Sequence, residues 1–135
     1  MKIANEKSEV IYTYFVFLGH CRYESSMKAA SISSHEHVDL SIESFKHAIA
    51  KQPIAIGLYA NGNFQRYAGG IFEDSSCPQN KANHAVIAVG YDSTEEYWTI
   101  RNSWGGNWGE DGHIRIAMGQ NTCNCEETES TIPNI

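Results

Sequence analysis

The chain has 135 residues and a formal net charge of −6. That is the size of one domain and the wrong sign for a nucleic-acid or anionic-membrane surface. Its 41% hydrophobic and 11% aromatic content is enough for a packed core and argues against disorder, while no stretch reaches the about 20 apolar residues that cross a bilayer.

In chain order, the first apolar run is VIYTYFVFLG at 10–19, preceded by Lys2 and Lys7 as in a secretory leader. Its two tyrosines, the preceding Glu6 and Glu9, and the missing small-x-small cleavage site favour a buried strand or loop segment instead. Residues 31–37 (SISSHEH) are polar and read as an exposed connection or edge strand. Ser41 can then cap a helix through its hydroxyl, with Ile42, Phe45, Ala48 and Ile49 at helical spacing on one apolar face. Pro53 is expected to end that helix, because it has no N–H and restricts Gln52 before it.

From there the pattern turns to strands. Segments 54–59, 85–91, 97–101 and 113–117 are short, rich in β-branched or aromatic residues and separated by Gly, Asn or Asp. The expected class is α+β: one capped helix, then an antiparallel β-unit that reads as a barrel-like half-domain more than a complete two-layer fold.

Two segments carry chemistry. NHAVIAVGY at 83–91 places His84 at the opening of a buried strand. RNSWGGNWGEDGHIRI at 101–116 ends one strand on Asn102, follows it with Trp104 and Trp108, and runs through glycines into the next strand. An imidazole base needs one ring nitrogen held by an acceptor and the other facing a nucleophile. Asn102 can supply that acceptor from the adjacent strand, and a tryptophan can shield the bond from water, which strengthens it. Taken singly, His84 reads as a satisfied core histidine and the tryptophans as core aromatics.

Together these motifs resemble the histidine and asparagine segments of papain-like cysteine peptidases, the family of papain and the cathepsins. The resemblance extends to Gln52-Pro53, to YAGGIF at 67–72, and to Tyr12 and Tyr14 followed by Gly19-x-Cys21-Arg22-Tyr23, so that it spans roughly positions 5 to 133. It implies the C-terminal half of that fold, with 1–30 a remnant of the left half and crossover and 31–135 the right-hand β-domain. It implies His84 as acid/base, Asn102 as its orienting residue, Trp104 as a shield and Trp108 as a wall on the leaving-group side. Gly57, Ala82 and Ala85 resemble positions that line the main specificity pocket, whose floor should fall near Thr128 or Glu129, since the spacing after Cys123 is one residue longer than usual. The implied partner is a peptide or protein substrate; the implied location is lysosomal, vacuolar or extracellular. No cofactor is implied.

The family's nucleophile stands in a CGSCW-like segment some 130–150 residues before the histidine, and this sequence contains none. Cys21 lies 63 positions before His84 (84 − 21), in the context His20-Cys21-Arg22-Tyr23, and Tyr14, Phe15 and Val16 stand where an oxyanion-binding glutamine would be sought. The expectation is a fragment that does not hydrolyse peptides by itself, lacking thiolate and oxyanion donor. Two alternatives stay open: a catalytically dead module that binds peptides or a partner, and the His/Asn chain of a two-chain protease whose missing half lies on another chain.

Four cysteines allow about three full pairings. The resemblance pairs Cys77 with Cys123, leaves Cys21 to a partner in the missing half, and offers no counterpart for Cys125, which could pair with Cys21, stay free or compete with Cys123. His35-Glu36-His37 and Cys123-Asn124-Cys125 look like metal-ligand pairs, but no second matching pair accompanies either at zinc-site spacing, so no metal is expected. Glu126, Glu127 and Glu129 read as a solvated acidic tail.

Overall fold

A computed structural model describes residues 24–134; the apolar run at 10–19 and Cys21 lie outside them. Seven strands form one sheet: β1 (Ser34–His37), β2 (Ile54–Leu58), β3 (Ile71–Phe72), β4 (His84–Asp92), β5 (Tyr97–Arg101), β6 (His113–Ala117) and β7 (Ser130–Asn134). Their order across the sheet is β1-β7-β2-β4-β5-β6-β3. Every pairing is antiparallel except the two-residue β3, which runs parallel to β6.

The sheet exists because its strands alternate. Ile54, Ile56 and Leu58 on β2, Val86 and Ala88 on β4, Trp98 and Ile100 on β5, and Ile114 and Ile116 on β6 are all buried, which is the period-2 pattern of a strand with one dry face. Helix α1 (Ile42–Ile49) covers that face: Phe45, Ala48 and Ile49 are buried, and the Phe45 ring meets Trp98 edge-on at 4.9 Å. Burying a side chain of this size stabilises the fold by about 1.5–3 kcal/mol. Ser41 caps α1 by accepting from the Ser44 N–H at 3.1 Å, as expected.

The structure departs from the sequence reading in four places. First, α1 ends at Ile49, four residues before Pro53; the N–H groups of Lys51 and Gln52 turn back onto the Ala48 carbonyl, so the helix closes by its own turn and proline only guards the exit. Second, a one-turn helix α2 (Gly62–Gln65) follows β2, capped by Asn61, whose side chain accepts from the N–H groups of Asn63 and Phe64. Third, the sheet does not close into a barrel among the described residues: β1 pairs only with β7 and β3 only with β6, which leaves two open edges.

Fourth, the acidic segment is not a solvated tail. Glu126 Oε1 accepts from Trp98 Nε1 at 2.7 Å and from the Gly119 N–H at 2.6 Å, and its Oε2 accepts from the Asn121 N–H at 2.6 Å. The carboxylate is the acceptor for three donors around a core tryptophan, and the chain behind it continues as β7, inserted between β1 and β2. Only Glu127 and Glu129 are exposed.

Candidate active site

His84 opens β4, beside the chain reversal that follows β2. Asn83 sets that position: its N–H donates to the Leu58 carbonyl at 3.0 Å and its Oδ1 accepts from the Ala60 N–H at 2.7 Å. Asn102 follows the last residue of β5 and is 8% exposed, with its N–H donating to the Gly112 carbonyl at 2.9 Å. Pairing of β4 with β5 joins Ile87 to Arg101, so the two site residues come together at the same end of neighbouring strands.

Their side chains meet directly: His84 Nε2 lies 2.8 Å from Asn102 Oδ1. The Ser103 N–H donates to that same oxygen at 2.7 Å. A backbone N–H can face only an acceptor, so the amide is oriented with its oxygen toward both groups, and His84 must donate from Nε2. In the neutral ring this leaves the lone pair on Nδ1, available to take a proton. Asn102 Nδ2 is buried and has no hydrogen-bond partner among the described residues, a cost of about 1–3 kcal/mol held at the site.

Aromatic rings pack this pair from one side. Trp104 lies against the imidazole at 4.8 Å and a 30° tilt, while remaining 40% exposed. Phe64 of α2, wholly buried, lies edge-on to Trp104 at 5.7 Å and to His84 at 6.3 Å, and tilts onto Trp108 at 5.3 Å. Trp108 donates from Nε1 to the Gln65 carbonyl at 3.0 Å. Sequence reading missed Phe64; the signal was Asn61, a capping residue three positions before it.

The glycine loop between Trp104 and β6 is fixed by a polar clamp. Glu110 takes Arg115 in a two-pronged contact at 2.9 and 2.7 Å and accepts from the Gly70 N–H at 2.9 Å. The Arg115 guanidinium and the Gly70 N–H hold its carboxyl down at about 2. Gly109, at φ +58°, has no alternative: a Cβ there would stand 2.5 Å from the His113 carbonyl oxygen and 2.9 Å from the Tyr67 ring.

The residues expected to line a pocket split. Gly57 and Ala85 are cross-strand partners, and a Cβ on Gly57 would stand 2.8 Å from Thr128 Oγ1 and 3.1 Å from the Ala82 methyl. Gly57, Ala82, Ala85 and buried Thr128 are therefore neighbours. Glu129 is not among them; its side chain is 78% exposed, 3.6 Å from His37. Beside Asn102 an open cavity of about 540 Å³ is lined by Ala55, Ala85, Val86, Ile87, Arg101 and Ser103, and Ile87 is 44% exposed on it.

Cys77 and Cys123 form a disulfide across 46 positions. Cys125 is buried and unpaired among the described residues, and burial pushes its thiol far above the usual range. It is therefore poorly placed to act as a thiolate.

Residues 2–132 match the model of the papain family of cysteine proteases. The chain belongs to the papain family. Ananain of Ananas comosus is 39% identical over 114 residues, covering 82% of this chain and 32% of that protein. A cathepsin L-like proteinase of Fasciola hepatica is 34% identical, covering 87% of this chain and 37% of that protein. Among solved structures, digestive procathepsin L2 from the larval midgut of Tenebrio molitor superposes with a TM-score of 0.82 at 31% identity, over 94% of this chain and 42% of that one. Bromelain of Ananas comosus in complex with the E64 inhibitor gives 0.77 at 35% identity, over 93% of this chain and 61% of that one. This papain-family chain thus spans about a third of the length of the curated relatives it matches.

Proposed function

We propose that this chain contributes the acid/base half of a papain-type endopeptidase site, and that the nucleophilic thiol comes from sequence outside the 135 residues. The observation that carries this is the 2.8 Å bond between His84 Nε2 and Asn102 Oδ1, which sets the tautomer an acid/base imidazole needs. Nδ1 then takes the thiol proton and returns it to the leaving amine as the acyl-thioester forms; water, deprotonated by the same nitrogen, releases the acid. Trp104 limits the access of water to the imidazole–amide bond, and Trp108 walls the leaving-group side.

Thr128, Gly57, Ala82 and Ala85 form the specificity pocket in this reading. Its floor is then neutral, since Glu129 turns to solvent, and it favours apolar over basic side chains. The open face beside Asn102 receives the half of the domain that bears the nucleophile, on the same polypeptide or on a second chain. A lysosomal, vacuolar or extracellular location accords with the family resemblance; among the described residues no helix is long and apolar enough to cross a membrane.

The test is hydrolysis of fluorogenic peptides by the 135-residue chain alone. No turnover is expected. Turnover abolished by a thiol-directed epoxide would place the nucleophile within this chain and overturn the proposal.

A further inference from the structure

Outside the active site, the sheet assembles a cluster that the sequence leaves incomplete. His35 and His37 are two residues apart on β1, so both project from the same face of an edge strand. Their rings stand 5.7 Å apart, edge to face. The residue between them, Glu36, points the other way and accepts from Asn134 Nδ2 at 3.0 Å. Pairing of β1 with β7 places His37 opposite Thr131, which carries Glu129, two residues earlier, to the same face. Glu129 Oε1 lies 3.6 Å from His37 Nδ1, and the two side chains are 78% and 61% exposed.

We propose that His35 and His37 form a surface chelate for a borderline divalent transition ion, with Glu129 as the outer partner of His37. Imidazole is the ligand such ions prefer, with copper(II) and nickel(II) bound above or beside zinc in the usual affinity order. The ring separation is near that of two imidazoles sharing one ion at bonds of about 2.0–2.1 Å, and both exposed side chains can rotate to close the remainder. His37 Nδ1 stands 3.6 Å from the Glu129 carboxylate, beyond hydrogen-bond length; a small rotation of these exposed side chains closes that gap, which leaves Nε2 for the ion and lets the carboxylate orient the ligand histidine. Among the described residues no group of three or more His, Cys, Asp or Glu side chains is arranged to hold a metal. The site is therefore an open two-nitrogen chelate completed by water. An ion bound there ties β1 to the segment that carries Thr128.

Calorimetric titration of the full, tag-free chain with nickel(II) tests this. One ion per chain is expected, with binding lost in the His35→Ala/His37→Ala double variant and weakened about tenfold in Glu129→Gln, as for loss of an outer-shell partner. His47→Ala, at an isolated exposed histidine, should bind as the parent does. Zinc-dependent shifts of the His35 and His37 ring protons in the unmodified chain give the same answer without a variant. Undiminished binding by the double variant, or zinc shifts confined to other histidines, would overturn the proposal.

Discussion

Asn102 holds His84 in one tautomer: the imidazole donates from Nε2 to Oδ1 at 2.8 Å, and the Ser103 N–H fixes that oxygen at 2.7 Å. Replacing Asn102 with Ala removes the acceptor and frees the ring to take either tautomer. Nitrogen chemical shifts of His84 in the full chain should move from an Nε2–H pattern toward a mixture. In the peptidase assembled with its nucleophile, His84→Ala should lower kcat by about 10²–10⁴-fold, the usual worth of a general acid/base, and Asn102→Ala by less.

A single carbon added at Gly57 would press on the Thr128 hydroxyl and the Ala82 methyl, so that Thr128 must turn aside to admit it. Gly57→Ala should therefore narrow the pocket. In the assembled enzyme, kcat/KM for peptides with a bulky apolar side chain there should fall about 10–200-fold, while peptides with a small one keep most of their rate. Equal losses for both would argue that the substitution distorts the sheet instead.

Glu126 satisfies three donors around Trp98. Glu126→Ala should destabilise the chain by roughly 2–4 kcal/mol, since each stranded buried donor costs about 1–3 and water reaches some of them. Glu126→Gln, which keeps one acceptor oxygen, should cost less. Urea unfolding of both variants gives the comparison.

Glu110 sets a pH dependence of known sign. Its carboxyl falls from the ordinary 4.5 to about 2 in the folded chain, so the unfolded state binds its proton more readily. The stabilisation is present in full above about 4.5 and is lost as pH falls toward 2. Unfolding midpoints measured between pH 6 and pH 3 should drop more steeply for the parent than for Glu110→Gln.

The Cys77–Cys123 disulfide closes a loop of 46 positions. In the chain-entropy account, removing it costs about 4 kcal/mol. The Cys77→Ala/Cys123→Ala variant should melt well below the oxidised parent, and adding reductant to the parent should reproduce most of the drop.

Much of this was legible in the sequence because the informative residues act locally. Short runs rich in β-branched or aromatic residues, set off by Gly, Asn or Asp, announced β2, β4, β5 and β6, Ser41 announced α1, and the histidine and asparagine motifs announced the pair that His84 and Asn102 form. What was missed acts over distance or in too few residues. Four residues of α2 show no periodicity, so Phe64 went unseen. Strand β7, with Pro133 in it and glutamates before it, looks like a tail until β1 and β2 pair with it. Glu126 looks solvated until Trp98, 28 positions away, turns its indole N–H onto it. The sequence leaves Thr128 and Glu129 as alternatives because the spacing after Cys123 is one residue longer than usual; in the fold Thr128 is buried against Gly57 and Glu129 turns to solvent.

The most direct test of the central claim is labelling of the endogenous protein with a thiol-directed epoxide, followed by mass spectrometry of the labelled species. Label is expected on a cysteine outside this sequence, either in a species heavier than 15.1 kDa that also yields peptides spanning His84 and Asn102, or on a second chain that co-purifies with those peptides. Label on Cys21 or Cys125, or no labelled species containing or accompanying those peptides, would contradict the proposal.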